Sequence, residues 1–457
     1  MAVAGLVVMV IVVLALLAGV HRYLWRRLVG DTTAEGSAMR RAGTVAAYVL
    51  PLLSVGALVA GRAGAPFRLQ QVLAWPGYLW LAAVLYLTLA LLAGEAVRPV
   101  LRRVLARRAG RPDDAGTTPA DGASGADPAG AAGDVDGASD ARHMGGASGA
   151  GHSNLSVGAP GAGTSAAPAT LVAEVPARPR PDAPGRRQFV ARAVGGAAAV
   201  AGLGTVGFGT YGVLRGPRVK RITVPLAKLP RSAHGFRIAV VSDIHLGPIL
   251  GRAHTRRIVD TINRTQPDLV AVVGDLVDGT VADLGPAAEP LALLKSRHGN
   301  YFVTGNHEYY SGAAQWVDQV RELGLHPLEN DRVEIGGFDL AGVNDIAGES
   351  EGQGPDFDRA LGDRDRTRAA VLLAHQPVVI HDAVAHGVDL QLSGHTHGGQ
   401  LWPGNFIADL ANPTGAGLDR YGDTQLYVSR GAGAWGPPVR VGAPSDITVV
   451  ELASLRA

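Results

Sequence analysis

The stretch FRIAVVSDIHLG, residues 236–247, runs from apolar residues directly into an aspartate and a histidine. A short apolar run bounded by turn residues predicts a buried β-strand, and Asp243 and His245 would then lie at its carboxyl end. The same arrangement recurs further along the chain, in PDLVAVVGDLVDG (267–279), GNYFVTGNHEYY (299–310), AAVLLAHQP (369–377) and GVDLQLSGHTH (387–397).

Helical segments separate these predicted strands, and that alternation indicates an α/β domain of layered sheets and helices. In open α/β sheets, ligand sites form where the carboxyl ends of the strands meet. We therefore expect the polar residues that end the apolar runs to converge on one crevice. They are Asp243, His245, Asp275, Asn306, His307, His375, His395 and His397.

The side chains at these strand ends offer imidazole nitrogen, carboxylate oxygen and one amide oxygen, without any sulfur. This donor set suits Mn²⁺, Fe or Zn²⁺ rather than a thiophilic ion. The donors outnumber those of one tetrahedral ion and suit two ions that share a carboxylate. The sequence therefore predicts a site for two divalent metal ions.

The short motifs DIH, GDLVD, GNHE, AHQP and GHTH, in this order, resemble those of the calcineurin-like metallophosphoesterase superfamily. SGHTHGGQ (393–400) and YVSRGAG (427–433) resemble the membrane-associated bacterial branch of that superfamily. The resemblance extends over residues 219–455. It implies an α/β fold of the metallophosphoesterase type, a β-sandwich flanked by helices, with the metal site at the strand ends.

The resemblance also implies a role for each residue of the site. Its pattern assigns the first ion to Asp243, His245 and His397, the bridge between the ions to Asp275, and the second ion to Asn306, His375 and His395. A hydroxide bridging two metal ions would then attack the phosphorus of a phosphoester.

His307 would be kept off the metals and act as the catalytic residue, stabilising the developing charge or protonating the leaving group. For Asp278 and Glu308 we expect the more modest role of orienting the ligand histidines.

The composition limits the classes to which this protein can belong. The chain has 457 residues, more than one domain usually contains, and a net charge of +2 that gives no reason to expect a nucleic-acid partner. Cysteine is absent, which excludes disulfides, zinc–thiolate sites and a cysteine nucleophile. The composition, with 18% charged residues, 47% hydrophobic residues and a mean hydropathy of +0.14, indicates that the chain contains membrane segments.

Uncharged runs at 2–20, 44–61 and 69–94 predict three spans in an all-α transmembrane region, residues 1–109. The first run also fits a cleaved signal peptide. Residues 110–185, rich in Ala, Gly and Pro, read as a disordered linker. The catalytic domain would follow over 219–457.

A weaker uncharged run lies within residues 186–218. It predicts either a fourth span or a helix resembling an export signal, because RRQFV (186–190) resembles a twin-arginine motif. The alternative is a peripheral helix of a domain that remains in the cytoplasm.

Arginines predict the orientation of a multi-pass membrane protein. They are numerous after the first and third runs, whereas only Arg62 and Arg68 lie between the second and third. The first and third connections should therefore be cytoplasmic, and a fourth span would place the catalytic domain outside. Basic residues just beyond that span, at Arg215, Arg218 and Arg221, oppose this orientation.

These observations predict a membrane-anchored, metal-dependent phosphoesterase. The substrate would be a phosphoester, with lipid-linked esters among the candidates, and Trp402 and Phe406 would form an apolar lip against a lipid tail. The alternative from another class is a metal-binding sensory or interaction module without turnover. The sequence gives no indication of the oligomeric state.

Overall fold

The computed structural model describes residues 2–109 and 185–455. The predicted linker therefore lies outside the described residues, apart from Gly185. The amino-terminal part is all-helical, with α1 at Ala2–Trp25, α2 at Ala38–Ala60, α3 at Phe67–Ala109 and α4 at Arg186–Leu214. Each of these helices contains a segment long and apolar enough to cross a membrane.

The part of the chain after α4 contains the β-strands. They are β1 Arg218–Leu226, β2 Phe236–Val241, β3 Leu269–Val273, β4 Asn300–Val303, β5 His326–Pro327, β6 Asp331–Ile335, β7 Phe338–Gly342, β8 Ala369–Leu373, β9 Leu390–Ser393, β10 Gly417–Tyr421, β11 Thr424–Val428 and β12 Asp446–Ser454. Within residues 185–455 they form two six-stranded sheets, ordered β1-β12-β2-β3-β4-β5 and β10-β11-β9-β8-β7-β6.

Short helices connect the strands. They are α5 Arg252–Arg264, α6 Val281–Ala288, α7 Asn306–Ser311, α8 Ala313–Glu322, α9 Phe357–Leu361, α10 Ile380–Ala385 and α11 Gly404–Ala411. One buried apolar cluster joins the facing sides of the two sheets, with Ile238 from the first and Val371 from the second. Further clusters join the first sheet to α5, α6 and α8, and the second sheet to α9 and α10. The predicted β-sandwich flanked by helices, preceded by a helical region, is confirmed.

The sheet topology positions the candidate site. Strands β2, β3 and β4 are parallel neighbours in the first sheet, and β8 and β9 are parallel neighbours in the second. Their buried residues are β-branched or otherwise apolar, which suits strands that are covered on both faces. Because each strand ends at the same side of its sheet, the turns that follow all five meet at one edge of the sandwich.

The helical region packs directly on the part of the chain that contains the β-strands. The Tyr86 hydroxyl in α3 donates a hydrogen bond of 3.0 Å to the carbonyl oxygen of Trp402, just before α11. Val439 is buried in the same apolar cluster as Tyr86 and Leu87. Phe67, at the start of α3, packs against the apolar cluster on the outer face of the first sheet.

Candidate metal centre

The turns after β2 and β9 form the first group of the candidate site. Asp243 and His397 approach each other there, with Oδ1 and Nε2 3.4 Å apart. Nε2 of His245 lies 3.0 Å from Nε2 of His397. All three side chains are buried, and their nearest donor atoms lie close enough together to hold one metal ion.

The second group comes from the turns after β3, β8 and β9. Nε2 of His375 lies 3.1 Å from Oδ2 of Asp275, and His395 completes this group. Asn306, the first residue of α7, places Oδ1 3.1 Å from Nδ1 of His395. The two groups adjoin, because Nε2 of His245 is also 3.7 Å from Oδ2 of Asp275. The structure thus brings all the predicted ligands together.

Most of these residues have an unusual backbone conformation. Positive φ angles occur at five of them, namely Asp243 (52°), His245 (47°), Asp275 (53°), His395 (71°) and His397 (53°). For residues other than glycine this left-handed conformation is uncommon and costs about 1–3 kcal/mol when it is strained. Such strain persists only where the surrounding structure enforces it, and it concentrates at functional sites.

Glycines allow the strand-end turns to pack against the aspartates. A Cβ at Gly305 would collide with Oδ1 of Asp275, and one at Gly394 would lie 2.5 Å from Oδ2 of Asp243. The backbone amide of His307 donates to Asp275 at 2.9 Å, and that of His395 donates to Asp243 at 2.9 Å. Each aspartate therefore has one oxygen fixed by a neighbouring turn.

The electrostatics of the site favour positive charge. Burial lowers the pKa of His245, but the carboxylates of Asp278, Asp275 and Asp243 outweigh it and raise that pKa to about 9. Burial likewise opposes protonation of His375, and Asp275 raises its pKa well above the ordinary value. The raised pKa values of these two buried imidazoles indicate that the carboxylates of the site stabilise positive charge there.

The other two histidines stay neutral. Burial lowers the pKa of His397 well below its usual range, and the nearby His245 and Arg440 lower it further. Burial and the charge of His375 lower the pKa of His395 to about 4. Neutral imidazole is the form that binds metal ions.

Asp278 lies between two histidines of the site. Its Oδ1 is 3.0 Å from Nδ1 of His245 and 2.6 Å from Nδ1 of His307. Burial opposes ionisation of Asp278, yet these two histidines lower its pKa to about 2. A carboxylate at Nδ1 favours the tautomer that leaves Nε2 free to bind a metal or a substrate.

Glu308 acts on the backbone rather than on a histidine. Its carboxylate accepts hydrogen bonds from the amides of Asp275 (2.9 Å), Leu276 (2.8 Å) and Gly305 (2.6 Å). The expected orientation of a ligand histidine is therefore not the role of Glu308. It ties the turn after β3 to the start of α7 instead.

Sequence reasoning missed Arg440, which lies behind His397. Its Nη2 is 3.0 Å from Nδ1 of His397, and its Nη1 donates to the carbonyl oxygen of the same residue at 3.2 Å. Nε donates to Gly433 at 2.7 Å, so the buried guanidinium is well satisfied. No motif around PPVRVGAP (437–444) distinguishes this arginine from a surface residue.

The surroundings of His307 are aromatic on one side. Its ring makes edge contacts with Tyr310 and Trp435, at centroid distances of 5.4 and 5.7 Å. The side chain is 15% exposed, whereas that of His245 is fully buried. His307 is therefore accessible from the crevice while its Nδ1 is held by Asp278.

Comparisons with known proteins agree with this geometry. The family model described as calcineurin-like phosphoesterase matches residues 236–399. A transmembrane protein with metallophosphoesterase domain from Danio rerio is 38% identical over 259 residues, which cover 54% of this chain and 59% of that protein. An uncharacterized metallophosphoesterase of Helicobacter pylori is 39% identical over 247 residues, 53% of this chain and 66% of that protein.

A shorter relative is covered almost completely. An uncharacterized metallophosphoesterase of Aquifex aeolicus is 36% identical over 240 residues, which cover 51% of this chain and 91% of that protein. The chain thus spans less than two thirds of the length of the first two relatives and nearly all of the third.

Proposed function

The chain belongs to the calcineurin-like phosphoesterase family, and we propose that it is a membrane-anchored hydrolase that cleaves a phosphoester with two divalent metal ions. The observation that carries this proposal is the convergence of two His/Asp groups at one edge of the sandwich. Their separation is small, because His245 and Asp275 belong to different groups and lie 3.7 Å apart.

The residues present fit divalent ions. Nε2 of His375 is buried beside Oδ2 of Asp275, 3.1 Å away, without an aligned hydrogen bond to any described residue, as expected of a nitrogen that shares a metal with that carboxylate. Asp243, His245 and His397 would hold one ion, Asn306, His375 and His395 the other, with Asp275 between them. Such ions supply a nucleophile from water at neutral pH and neutralise charge on phosphoryl oxygens. Nitrogen and oxygen donors suit Mn²⁺, Fe or Zn²⁺.

His307 supplies the proton chemistry. Asp278 accepts the hydrogen bond from Nδ1 of His307 and so leaves Nε2 to meet the leaving oxygen, and His307 would donate a proton from Nε2 in its imidazolium form. General-acid catalysis of this kind contributes about 10²- to 10⁴-fold in rate. A metal-binding sensory module would have no need for an imidazole held in this way, which favours the enzyme over that alternative.

The test is hydrolysis of bis-p-nitrophenyl phosphate and p-nitrophenyl phosphate by the detergent-solubilised full chain. We expect turnover that is lost with a chelator and restored by Mn²⁺, Zn²⁺ or Fe²⁺. Asp275→Ala should lose metal and activity together, whereas His307→Ala should keep its metal and lose about 10²- to 10⁴-fold in rate. His298→Ala, on the exposed surface, is the control. Metal-loaded protein without turnover on any ester would favour the sensory module.

We propose that the catalytic domain lies outside the cytoplasm. It contacts the halves of α3 and α4 that are remote from their arginine-rich ends, through Tyr86 and Gly209. At the other ends Arg27 pairs with Glu95 at 3.0 Å, and Arg192 donates to the carbonyl oxygen of Thr32 at 2.9 Å. Arginine-rich ends of spans remain in the cytoplasm, which leaves the catalytic domain on the opposite side.

The chain lacks cysteine, so introduced cysteines can test this orientation. Ser350→Cys places a thiol on the exposed surface of the catalytic domain, and Glu35→Cys places one in the first connection. A membrane-impermeant maleimide should label the first variant in intact cells and the second only after permeabilisation. The reverse pattern would place the domain in the cytoplasm.

We further propose that the substrate is lipid-linked. Trp402, Phe406, Ile407 and Leu410 are exposed on or beside α11, and Leu410 is 89% exposed. The Tyr86 hydrogen bond places the start of this helix beside α3, within its apolar span. Exposed apolar side chains at that level suit contact with lipid tails.

A cavity of about 260 Å³ lies between α11 and the turn that follows His397. Gly398, Trp402 and Arg430 are among its lining residues. Arg430 forms no hydrogen bond or ion pair with another residue in the described part of the chain, so its guanidinium is free to meet an anionic headgroup. The cavity therefore offers the guanidinium of Arg430, with the carboxylate of Asp409 also in its lining, and one apolar edge next to the metal centre.

The lipid proposal has its own test. Leu410→Ser should reduce hydrolysis of a phospholipid ester in mixed micelles while leaving hydrolysis of bis-p-nitrophenyl phosphate unchanged. Leu293→Ser, an exposed leucine elsewhere on the domain, is the matched control. Equal losses on both substrates, or no loss on either, would contradict a lipid-contacting role for α11.

A further inference from the structure

A second cavity lies among the helix ends of the membrane region, away from the catalytic domain. It has a volume of about 290 Å³ and is formed by the segment after α1, the last turns of α3 and the start of α4. Its polar lining consists of Arg27, Asp31, Arg98, Arg102, Arg187 and Gln188. Nothing in the phosphoesterase chemistry requires these residues.

Arg98 is the unusual member of this lining. It is only 5% exposed, yet its Nε and Nη2 have no hydrogen-bond partner among the described residues. Its remaining nitrogen, Nη1, reaches Glu95 at 3.3 Å. A buried guanidinium with unsatisfied N–H groups is costly unless an anion occupies the adjacent space.

The charges around the cavity do not balance within the protein. Arg27 is paired with Asp31 and with Glu95, each at 3.0 Å, so both carboxylates are already engaged. The side chains of Arg102 and Arg187 form no ion pair or hydrogen bond with another residue in ranges 2–109 and 185–455. The lining of the cavity therefore carries an excess of positive charge.

The apolar spans beside the cavity indicate where the anion comes from. The lining residues lie at the ends of three of these spans, Val8–Gly30, Phe67–Val104 and Arg187–Leu214. A ligand with a phosphate and acyl chains would place its phosphate in the charged cavity and its chains along these spans.

We propose that this cavity binds the phosphate headgroup of an anionic phospholipid. The planar guanidinium of Arg98 presents paired donors that match phosphate oxygens, and Arg102 and Arg187 close the site from its rim. Basic cavities between membrane helices are suited to such headgroups. The bound lipid would fix the ends of α1, α3 and α4 relative to one another, far from the metal centre.

Free inorganic phosphate shares the headgroup chemistry, so the experiment separates the two sources. Native mass spectrometry of the detergent-solubilised full chain would measure retention of phosphatidylglycerol, of phosphatidylcholine and of inorganic phosphate. We expect phosphatidylglycerol to bind at least about tenfold more tightly than phosphatidylcholine, since a zwitterionic headgroup keeps its own counter-charge. Phosphate alone, without acyl chains, should not be retained.

Matched variants locate the site. Arg102→Gln removes a rim cation and should weaken phosphatidylglycerol binding about tenfold, the usual effect of losing one charge-assisted contact. Arg103→Gln, its exposed neighbour outside the cavity, should leave binding unchanged. Arg98→Gln should abolish the preference for the anionic lipid, and its thermal unfolding reports whether it remains folded.

Three results would overturn the proposal. They are equal binding of the two lipids, equal effects of Arg102→Gln and Arg103→Gln, and retention of inorganic phosphate that depends on Arg102 as strongly as lipid retention does. None of these readouts uses hydrolysis, so a negative result here would not bear on the proposed esterase activity. Lipid binding can likewise be measured on a chain that shows no hydrolysis.

Discussion

The guanidinium of Arg440 lies 3.0 Å from Nδ1 of His397, on the side of the imidazole that faces away from Asp243. The contact has two consequences. Burial keeps His397 neutral and the charges of His245 and Arg440 add to this effect, while the hydrogen bond from Arg440 to the carbonyl oxygen of His397 fixes a residue whose φ is 53°. Arg440 thus fixes the position of one predicted ligand of the metal centre.

Arg440→Gln should therefore weaken metal binding at the first group. We expect a loss of about 10- to 100-fold in affinity, the usual effect of removing a residue that orients a ligand. Metal content after dialysis, and activity as a function of added Mn²⁺, measure it. Arg359→Gln, on the exposed surface, is the control, and unchanged metal content in Arg440→Gln would contradict this role.

Asp278→Asn should affect two histidines at once. It removes the charge shared by His245 and His307, so we expect a kcat lower by about 10- to 100-fold and a changed pH profile. Asp260→Asn on the exposed face of α5 is the matched change. A normal pH profile in Asp278→Asn would contradict the role of its carboxylate in raising the pKa of His245.

Glu308→Gln should destabilise the fold around Asp275. A glutamine amide turns one N–H group towards the backbone donors, and it leaves at least one buried amide without an acceptor. The expected cost is about 1–3 kcal/mol in the free energy of unfolding, measured by denaturant titration. Glu322→Gln, at the exposed end of α8, should change stability little. Equal stabilities of the two variants would contradict the backbone role.

Two glycines of α4 distinguish the docked face of the helix from its free face. A Cβ at Gly209 would lie 2.7 Å from Cγ1 of Val439 and 2.9 Å from the carbonyl oxygen of Arg440. A Cβ at Gly207 would have no side chain or backbone atom of another element within 4 Å. Gly209→Ala should lower the thermal midpoint in detergent, and Gly207→Ala should raise it slightly, since alanine favours a helix by about 1 kcal/mol. Equal shifts would contradict the docking of α4.

His254 should make stability depend on pH. It is buried in α5 without a hydrogen-bond partner among the described residues, and burial, with the charges of Arg257 and Arg440, lowers its pKa to about 3. Below its ordinary pKa of about 6.5 the unfolded chain binds a proton that the folded chain does not. Its contribution to stability therefore falls as the pH decreases from 6.5 towards 3.

His254→Leu removes this penalty. The loss of stability between pH 7 and pH 5 should be smaller in the variant than in the parent chain by about 2 kcal/mol. Thermal unfolding at both pH values measures the difference, and His298→Leu at an exposed position is the control. An identical pH dependence in His254→Leu and the parent would show that His254 titrates normally.

The α/β class and the strand ends that carry the site could be predicted from the sequence alone. Both depend on local patterns, because an apolar run such as 236–241 forms a buried strand whatever surrounds it, and the polar residue after it must lie at the strand's carboxyl end. The apolar helices could also be predicted from local sequence, because the length and composition of a segment decide whether it can cross a bilayer.

Which polar residues contact one another depends on the tertiary fold. Arg440 reaches His397 across 43 positions, and Asp278 serves His245 and His307 from a third turn. The positive φ angles at the strand ends, and the two unsatisfied nitrogens of Arg98 among three helix ends, likewise have no signature in the residues beside them. Contacts of this kind depend on how distant segments pack, and neither hydrophobic periodicity nor motif spacing records that packing.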